Sequence, residues 1–87
     1  MHTLGNLYSI FVHDREYCGR GVLVRKTGPH EPWEELLKIS GKINTPDSLE
    51  GISATSALRH MCYTILIDGE LQHFSSKYYH LVPVGKT

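Results

Sequence analysis

The dipeptide Asp68-Gly69 is the strongest local structural signal in this chain of 87 residues, because it separates two strand-like segments, CYTILI and ELQHF. A two-residue Asp-Gly loop favours a type I′ turn, which requires positive φ at both positions and matches the twist of paired strands. The sequence therefore predicts a β-hairpin in a defined register, with Tyr63 facing Phe74.

A second turn is predicted at Ser76-Lys77, which would make the C-terminal third a three-stranded antiparallel meander. A two-residue loop there places His73 opposite His80 on neighbouring strands. The last strand contains Pro83, which lacks an N–H group, so it is predicted to lie at an edge of the sheet. Since side chains alternate along strands, one face is predicted to be the core. Its residues are Tyr63, Ile65, Ile67, Phe74, Tyr79 and Leu81.

The N-terminal segment predicts an antiparallel hairpin. Residues 6–13 and 21–26 have strand composition, and the polar residues 14–20 between them read as its loop. Seven residues are too few for the crossover that a parallel pair requires. The residues predicted to share one face of the first strand are Tyr8, Ile10 and Val12.

Helical signals occupy the middle of the chain. A helix is predicted over residues 31–40, with Pro32 in its first position and Gly41 after its end. A single helical turn is predicted to start at Thr45-Pro46, and a second short helix over residues 54–61. The face of the first helix predicted to pack on the sheet contains Trp33, Leu36, Leu37 and Ser40.

Together these segments predict a single α+β domain spanning residues 1–87. Its sheet is about five-stranded and mostly antiparallel, made of the N-terminal hairpin and the C-terminal three-stranded meander. One or two short helices pack on one face. The hydrophobic content of 40% is ordinary for a globular chain and too high for a disordered one.

Charge and targeting signals restrict the functional classes. Nine basic residues balance nine acidic ones, which argues against a basic nucleic-acid-binding protein. No signal-peptide pattern and no bilayer-length apolar run are present. We therefore expect a cytoplasmic location, or the host-cell cytoplasm for a viral protein, no membrane association, and reduced thiols at Cys18 and Cys62.

A metal site is one chemical hypothesis. With both predicted turns in place, Cys62, His73 and His80 share one sheet face, and thiolate and imidazole are suitable zinc ligands. The alternative is a buried cysteine beside partly exposed histidines, with no cofactor. The same histidines, assisted by Lys77 or Arg59, would suit a small histidine- or metal-dependent hydrolase or nuclease.

Binding functions are the other hypotheses. Aromatic residues on the sheet (Phe74, Tyr78 and Tyr79) would suit a single-strand nucleic-acid-binding module, although the balanced charge disfavours it. We favour a non-catalytic protein–protein interaction module, without catalytic residues, that modulates or inhibits a larger complex. Small accessory proteins of viruses and mobile elements are often of this type. A homodimer is left open. The predicted partner-binding residues are Arg15, Tyr17, Arg20, Leu66, Leu71, His73 and His80.

Overall fold

Six strands and one helix make up the part of the chain that the computed structural model describes, residues 2–13, 16–44 and 58–84. In chain order these are β1 (Leu7–Val12), β2 (Tyr17–Thr27), α1 (Trp33–Ser40), β3 (Ile43–Asn44), β4 (Cys62–Ile67), β5 (Glu70–Ser75) and β6 (Tyr79–Pro83). The strands form one curled sheet in the order β3-β5-β4-β2-β1-β6. The α+β class is thus correct in a coarse sense. The sheet, however, has six strands rather than five, and it is mixed because β3 pairs parallel to β5.

The hairpin of β4 and β5 has the predicted register. Tyr63 pairs with Phe74, and the turn residues Asp68 and Gly69 have φ angles of 51° and 82°. Positive φ at both positions is what a type I′ turn requires. Local turn chemistry is therefore sufficient to define this hairpin.

The predicted three-stranded meander is wrong, because β6 does not pair with β5. It pairs antiparallel with β1 and forms the opposite edge of the sheet, with Ile10 facing Leu81. The connecting turn is bonded on both sides: the Ser76 amide donates to the Met61 carbonyl at 2.8 Å, and the His13 amide donates to the Tyr78 carbonyl at 3.0 Å. These hydrogen bonds join the turn to the residues next to β4 and β1, so the chain passes from β5 to the far edge beside β1 at one end of the curled sheet.

Gly21 permits close contact between β2 and β4. A Cβ atom at this position would collide with the Leu66 carbonyl oxygen and would lie 2.7 Å from side-chain atoms of Ile65 and Ile67. A glycine inside a strand marks a place where another backbone approaches closely. The absence of a side chain at residue 21 is therefore a local requirement of the packing of β2 on β4.

The core lies on the inner, concave face of the sheet. The aromatic rings of Phe74 and Tyr79 meet there edge to face, with centroids 5.0 Å apart, although their strands are not neighbours in the sheet. The buried residues of this core are Tyr8, Ile10, Val12, Leu23, Tyr63, Ile65, Phe74, Tyr78, Tyr79 and Leu81, with Ile67 partly buried against them. The predicted core face is therefore confirmed, although the pairing used to derive it for β6 was not correct. Pro83 does lie in an edge strand, as predicted.

The second strand is longer than predicted, because residues 17–20 belong to β2 and not to the hairpin loop. A bulge lies where Ile10 pairs with Gly19 and Phe11 pairs with Tyr17, which leaves Cys18 as the extra residue. Gly19 has a φ of 137°, a conformation that side-chain-bearing residues rarely adopt. The bulge thus preserves the antiparallel hairpin while inserting one residue into β2.

Helix α1 packs on the outer face of the sheet, with the predicted packing face correct at Leu36 and wrong at Trp33 and Leu37. Leu36 is buried against Leu58 and Cys62 in a second small cluster, which also includes the partly buried Ile39 and Ile43. Trp33 and Leu37, by contrast, are each more than half exposed. The predicted turn at Thr45-Pro46 and most of the predicted helix at 54–61 lie outside the described residues. Within the described ranges, no helix has the length and apolar content needed to cross a membrane.

Candidate binding surface

Among the residues that the structure describes, α1 covers the outer face of the sheet at one end. Beneath the helix lies a buried cross-strand row of Thr27, Cys62 and Ser75, exposed by 3%, 1% and 0%. Away from this row, large apolar side chains on the same face remain exposed. The uncovered part of the outer face is therefore the candidate binding surface.

An apolar row crosses four adjacent strands on this face. Leu71 of β5 pairs with Leu66 of β4, Leu66 with Val22 of β2, and Val22 with Leu7 of β1. The three leucines are 59%, 39% and 40% exposed, and Val22 is half-buried. These four residues, called the apolar row below, form a continuous apolar stripe perpendicular to the strands.

The charged side chains that the strands direct to the outer face, Arg20 and Arg25, are both positive; the Glu35 carboxylate beside Arg25 belongs to α1. The five longer strands direct Arg20, Arg25, His73 and His80 to this side, together with apolar and hydroxyl-bearing residues. Among these described outward positions none is a carboxylate. The face is consequently apolar and basic, although the whole chain has a formal charge of zero.

A second bulge in β2 brings Arg25 to this face. Leu23 pairs with Ile65 and Arg25 pairs with Thr64, so Val24 is the extra residue. Simple alternation from the buried Leu23 would have directed Arg25 inward; the inserted residue reverses its direction. Its guanidinium Nη2 lies 3.2 Å from the Glu35 Oε1 on α1 and forms an ion pair that joins the helix to the sheet.

A groove of about 310 Å³ lies between α1 and the outer face, beside the apolar row. Its polar lining includes Arg25, Glu35, Lys38, Thr64 and His73. Glu35 accepts a bond from the Lys38 ammonium at 3.2 Å as well as from Arg25, and these two hydrogen bonds lower the pKa of its carboxyl group. The groove therefore contains one carboxylate between two cations.

Thr64 and His73 form a polar pair on the floor of this groove. The Thr64 Oγ1 lies 3.0 Å from the His73 Nδ1, and Thr64 is only 5% exposed. Burial lowers the pKa of His73, and the positive charges of Lys42 and Arg25 lower it further. The imidazole is therefore held in its neutral form near pH 7.

Four rings form an aromatic ladder at the other end of the outer face. Phe11 is central: it meets Tyr17 edge to face with centroids 5.5 Å apart and stacks on His80 at 5.6 Å. His80 in turn stacks on His13 at 5.8 Å. Tyr17, His80 and His13 are exposed. The ladder extends the candidate surface across β2, β1 and β6.

The structure places most of the predicted partner-binding residues on this single face. Leu66 and Leu71 belong to the apolar row, His73 lines the groove, Tyr17 and His80 both contact Phe11, and Arg20 lies between the row and the ladder. Arg15 lies outside the described residues. Their role in binding stays a prediction.

Sequence reasoning missed Leu7, Phe11, Val22 and His13 as parts of this surface. The available signal was the alternation of the first strand, which places Leu7 and Phe11 opposite its buried residues. Recognising that these positions are uncovered requires knowing that the helix packs at the other end of the sheet. That information comes from the tertiary structure and cannot be read from the local sequence.

The geometric basis of the predicted metal site is wrong. Cys62 and His73 do share the outer face of neighbouring strands, but His80 is on β6, separated from β5 by β4, β2 and β1. In the described part of the chain, no group of three histidine, cysteine or acidic side chains is arranged to hold a metal ion. Burial raises the pKa of the Cys62 thiol, which disfavours the thiolate that metal binding needs.

The other predicted arrangements also change. Phe74, Tyr78 and Tyr79 are buried in the core, so they do not form an accessible stacking surface. His80 is stacked on His13 rather than paired with His73, and both stacked rings are exposed. Cys18 is exposed and Cys62 is buried, and both are thiols rather than halves of a disulfide.

Comparison with known proteins finds no relative: no family model, no curated protein sequence and no solved structure matches this chain. The function of this chain is therefore inferred from the geometry and chemistry of its outer face.

Proposed function

We propose that this chain is a non-catalytic protein-interaction module whose outer sheet face binds an acidic, amphipathic segment of a partner protein. The observation that carries the proposal is the apolar row, in which Leu7, Val22, Leu66 and Leu71 lie side by side on four strands. Exposed apolar patches with polar surroundings are typical of protein-binding sites. By binding such a segment, the module would modulate or inhibit the larger complex to which the partner belongs.

The dimensions of the apolar row suit a short helix. Four neighbouring strands at about 4.8 Å spacing give a stripe roughly 14 Å long. A helix of about ten residues has a similar length, and its side chains three or four residues apart are separated by about 5–6 Å. A helix of two to three turns laid along the row would therefore place one apolar side chain near each strand.

The charge of the outer face favours an acidic partner over a second copy of this chain. Arg20 and Arg25 lie on either side of Val22, and the outward strand positions described above carry no carboxylate. Two identical basic faces would repel each other when packed together, whereas an acidic segment would be attracted. The zero net charge of the chain gives weak attraction to nucleic acid, which makes that partner less favourable.

A peptide-display selection tests the proposal and does not require the natural partner to be identified first. Random peptides of about 20 residues, long enough for a helix of several turns, would be selected on the immobilised full chain. We expect the enriched peptides to be acidic and amphipathic. Their affinities would then be measured by calorimetry for the wild type, a Leu66→Ser/Leu71→Ser double variant and a Leu4→Ser control.

Leu4 is a suitable control because it is an exposed leucine outside the sheet. We expect the double variant to lose at least about tenfold in affinity, since two apolar contacts are removed, and Leu4→Ser to change it little. Equal affinities for the double variant and the wild type would contradict the proposal. Sedimentation equilibrium of the same proteins tests self-association: a dimer abolished only by the double variant would assign the row to a second copy.

A further inference from the structure

We propose that the groove between α1 and the outer face is a binding site for a phosphoryl group. The groove combines Arg25 and Lys38 at its rim with Thr64 and His73 on its floor, within about 310 Å³. The groove meets the apolar row at Leu71, but its polar side chains are not part of the row, so its occupation by an ion does not depend on the proposed protein partner. It can therefore be tested with small ions alone.

The charge of the groove suits a doubly negative ligand. Arg25 and Lys38 line it, Lys42 is close enough to affect the titration of His73, and Glu35 supplies one negative charge. The two lining cations exceed the one carboxylate by a single positive charge, and Lys42, outside the lining, brings the excess to two. A phosphoryl group carries about −1.5 to −2 at pH 7 and accepts several charge-assisted hydrogen bonds, which matches this excess better than a single carboxylate does.

Glu35 acts as an internal competitor for the ligand. Its two oxygens each accept one bond at 3.2 Å, from Arg25 and from Lys38, and both cationic side chains are largely exposed. Exposed ion pairs of this kind contribute little stability, so they can be exchanged at low cost. An entering phosphoryl group would replace the Glu35 carboxylate as the partner of Arg25, whose planar guanidinium can donate two parallel bonds to it.

The pair of Thr64 and His73 provides a neutral donor on the floor. When the Thr64 hydroxyl donates to the His73 Nδ1 across their 3.0 Å separation, the neutral ring carries its proton on Nε2. That N–H group can then donate to an oxygen in the groove. The buried position of Thr64 holds the ring in place, so the donor is fixed before the ligand arrives.

NMR titration of the full chain with inorganic phosphate, at constant ionic strength and pH 7.5, tests the site. We expect saturable shifts of the Thr64 amide and the His73 ring signals, with a dissociation constant of about 1 mM, typical of a small ion held by a few bonds. Arg25→Ala should weaken binding at least about tenfold. Arg20→Ala, on the same strand and face but outside the groove, should change it less than about twofold.

Glu35→Gln provides a test in the opposite direction. Removing the competing carboxylate should tighten phosphate binding several-fold, an outcome that a general loss of structure does not produce. If Arg25→Ala fails to fold, Lys38→Gln, at an exposed helix position, replaces it with the same expected direction. Linear, non-saturating shifts, or equal effects of Arg20→Ala and Arg25→Ala, would show only non-specific ion association and would overturn the site.

A final arm identifies the source of the phosphoryl group. Short peptides containing phosphoserine would be compared with their unphosphorylated twins and with free phosphate. Binding of phosphopeptides that is tighter than that of free phosphate and lost in Arg25→Ala would assign the groove to a phosphorylated protein segment. Equal affinities for phosphopeptides and for free phosphate would assign the groove to a small molecule that carries a phosphate group. Preference for acetate over phosphate would contradict the proposal.

Discussion

The two faces of the sheet are built from the same strands but differ in almost every physical property. The inner face is closed by aromatic and aliphatic side chains, among them Ile10, Leu23 and Ile65, which have no exposed surface. The outer face carries leucines that remain 39–59% exposed, two arginines and a groove. The inner face therefore carries the main core of the fold, while the outer face, away from the cluster under α1, retains apolar surface that folding has not buried.

This difference indicates where binding free energy is available. Burial of apolar surface contributes about 25 cal/mol per Å², and the inner face has already gained this contribution on folding. The apolar row on the outer face can gain it only on association. Substitutions on the inner face should therefore lower stability, whereas substitutions in the apolar row should lower binding and leave stability nearly unchanged.

The largest effect is expected for an inner-face truncation. Ile10→Ala should lower the free energy of unfolding by about 2–5 kcal/mol, because it leaves a cavity in a fully buried site. Leu71→Ala, on the outer face, should change it by less than about 0.5 kcal/mol. Urea denaturation of the two variants would measure both values. Similar losses of unfolding free energy in the two variants would contradict the proposed difference between the inner and outer faces.

A smaller loss of unfolding free energy is expected for a substitution at the close contact between β2 and β4. Gly21→Ala should cost about 2 kcal/mol, because the added methyl group collides with the Leu66 carbonyl and the neighbouring isoleucines. Gly41→Ala is the control: apart from the neighbouring residues of the chain, no atom of the described residues lies within 4 Å of the added Cβ, and φ is −86°. The control should leave stability unchanged or raise it by less than about 1 kcal/mol. Equal melting temperatures for the two variants would show that the close approach is absent.

The hydroxyl groups of two buried tyrosines should differ by about 1 kcal/mol in their contributions to the free energy of unfolding. The Tyr8 hydroxyl accepts a bond from the Thr3 amide at 2.7 Å, so Tyr8→Phe should lower stability by about that amount. The Tyr78 hydroxyl is buried without a hydrogen-bond partner among the described residues. Tyr78→Phe should therefore leave the unfolding free energy unchanged or increase it. A clear loss in Tyr78→Phe would indicate a hydrogen bond at that hydroxyl.

The smallest effect is a pH dependence that originates on the outer face. Burial, then the charges of Lys42 and Arg25, hold the pKa of His73 below its usual value of about 6.5. The unfolded chain therefore binds a proton at a higher pH than the folded chain. This contribution to stability is present at pH 7.5 and is lost as the pH falls below about 6.5, through the lowered folded-state pKa.

Thermal unfolding of the wild type and His73→Gln between pH 7.5 and 5 measures this contribution. The melting temperature of the wild type should fall more steeply on acidification than that of the variant, which lacks the titrating ring. Parallel curves would mean that folding does not change the proton affinity of His73.

Much of the inner face could be predicted from sequence, because it follows from local rules. The Asp68-Gly69 turn defined the register of β4 and β5, and strict alternation then assigned Tyr63 and Phe74 to the core. Alternation does not depend on which strand lies alongside. It places Tyr79 and Leu81 on the same face of β6, but the assignment of that face to the core used the incorrect pairing with Phe74.

The outer face was less predictable, because its organisation depends on long-range and irregular features. The pairing of β1 with β6 joins segments from opposite ends of the chain, and no local turn encodes it. The bulge at Val24 breaks the alternation that would have directed Arg25 inward. The orientation of α1 was also determined by tertiary packing, since Leu36 rather than Trp33 is buried against Leu58 and Cys62.

The position of β1 between β2 and β6 has a consequence for the order of folding. Its bonds to β2 are local and can form early, whereas those to β6 must wait until nearly the whole chain has been brought together. Such non-local closure costs loop entropy and slows folding relative to a meander of equal length. Until β6 arrives, one edge of β1 exposes unsatisfied backbone groups. We expect that edge to be where two partly folded chains exchange their final strands.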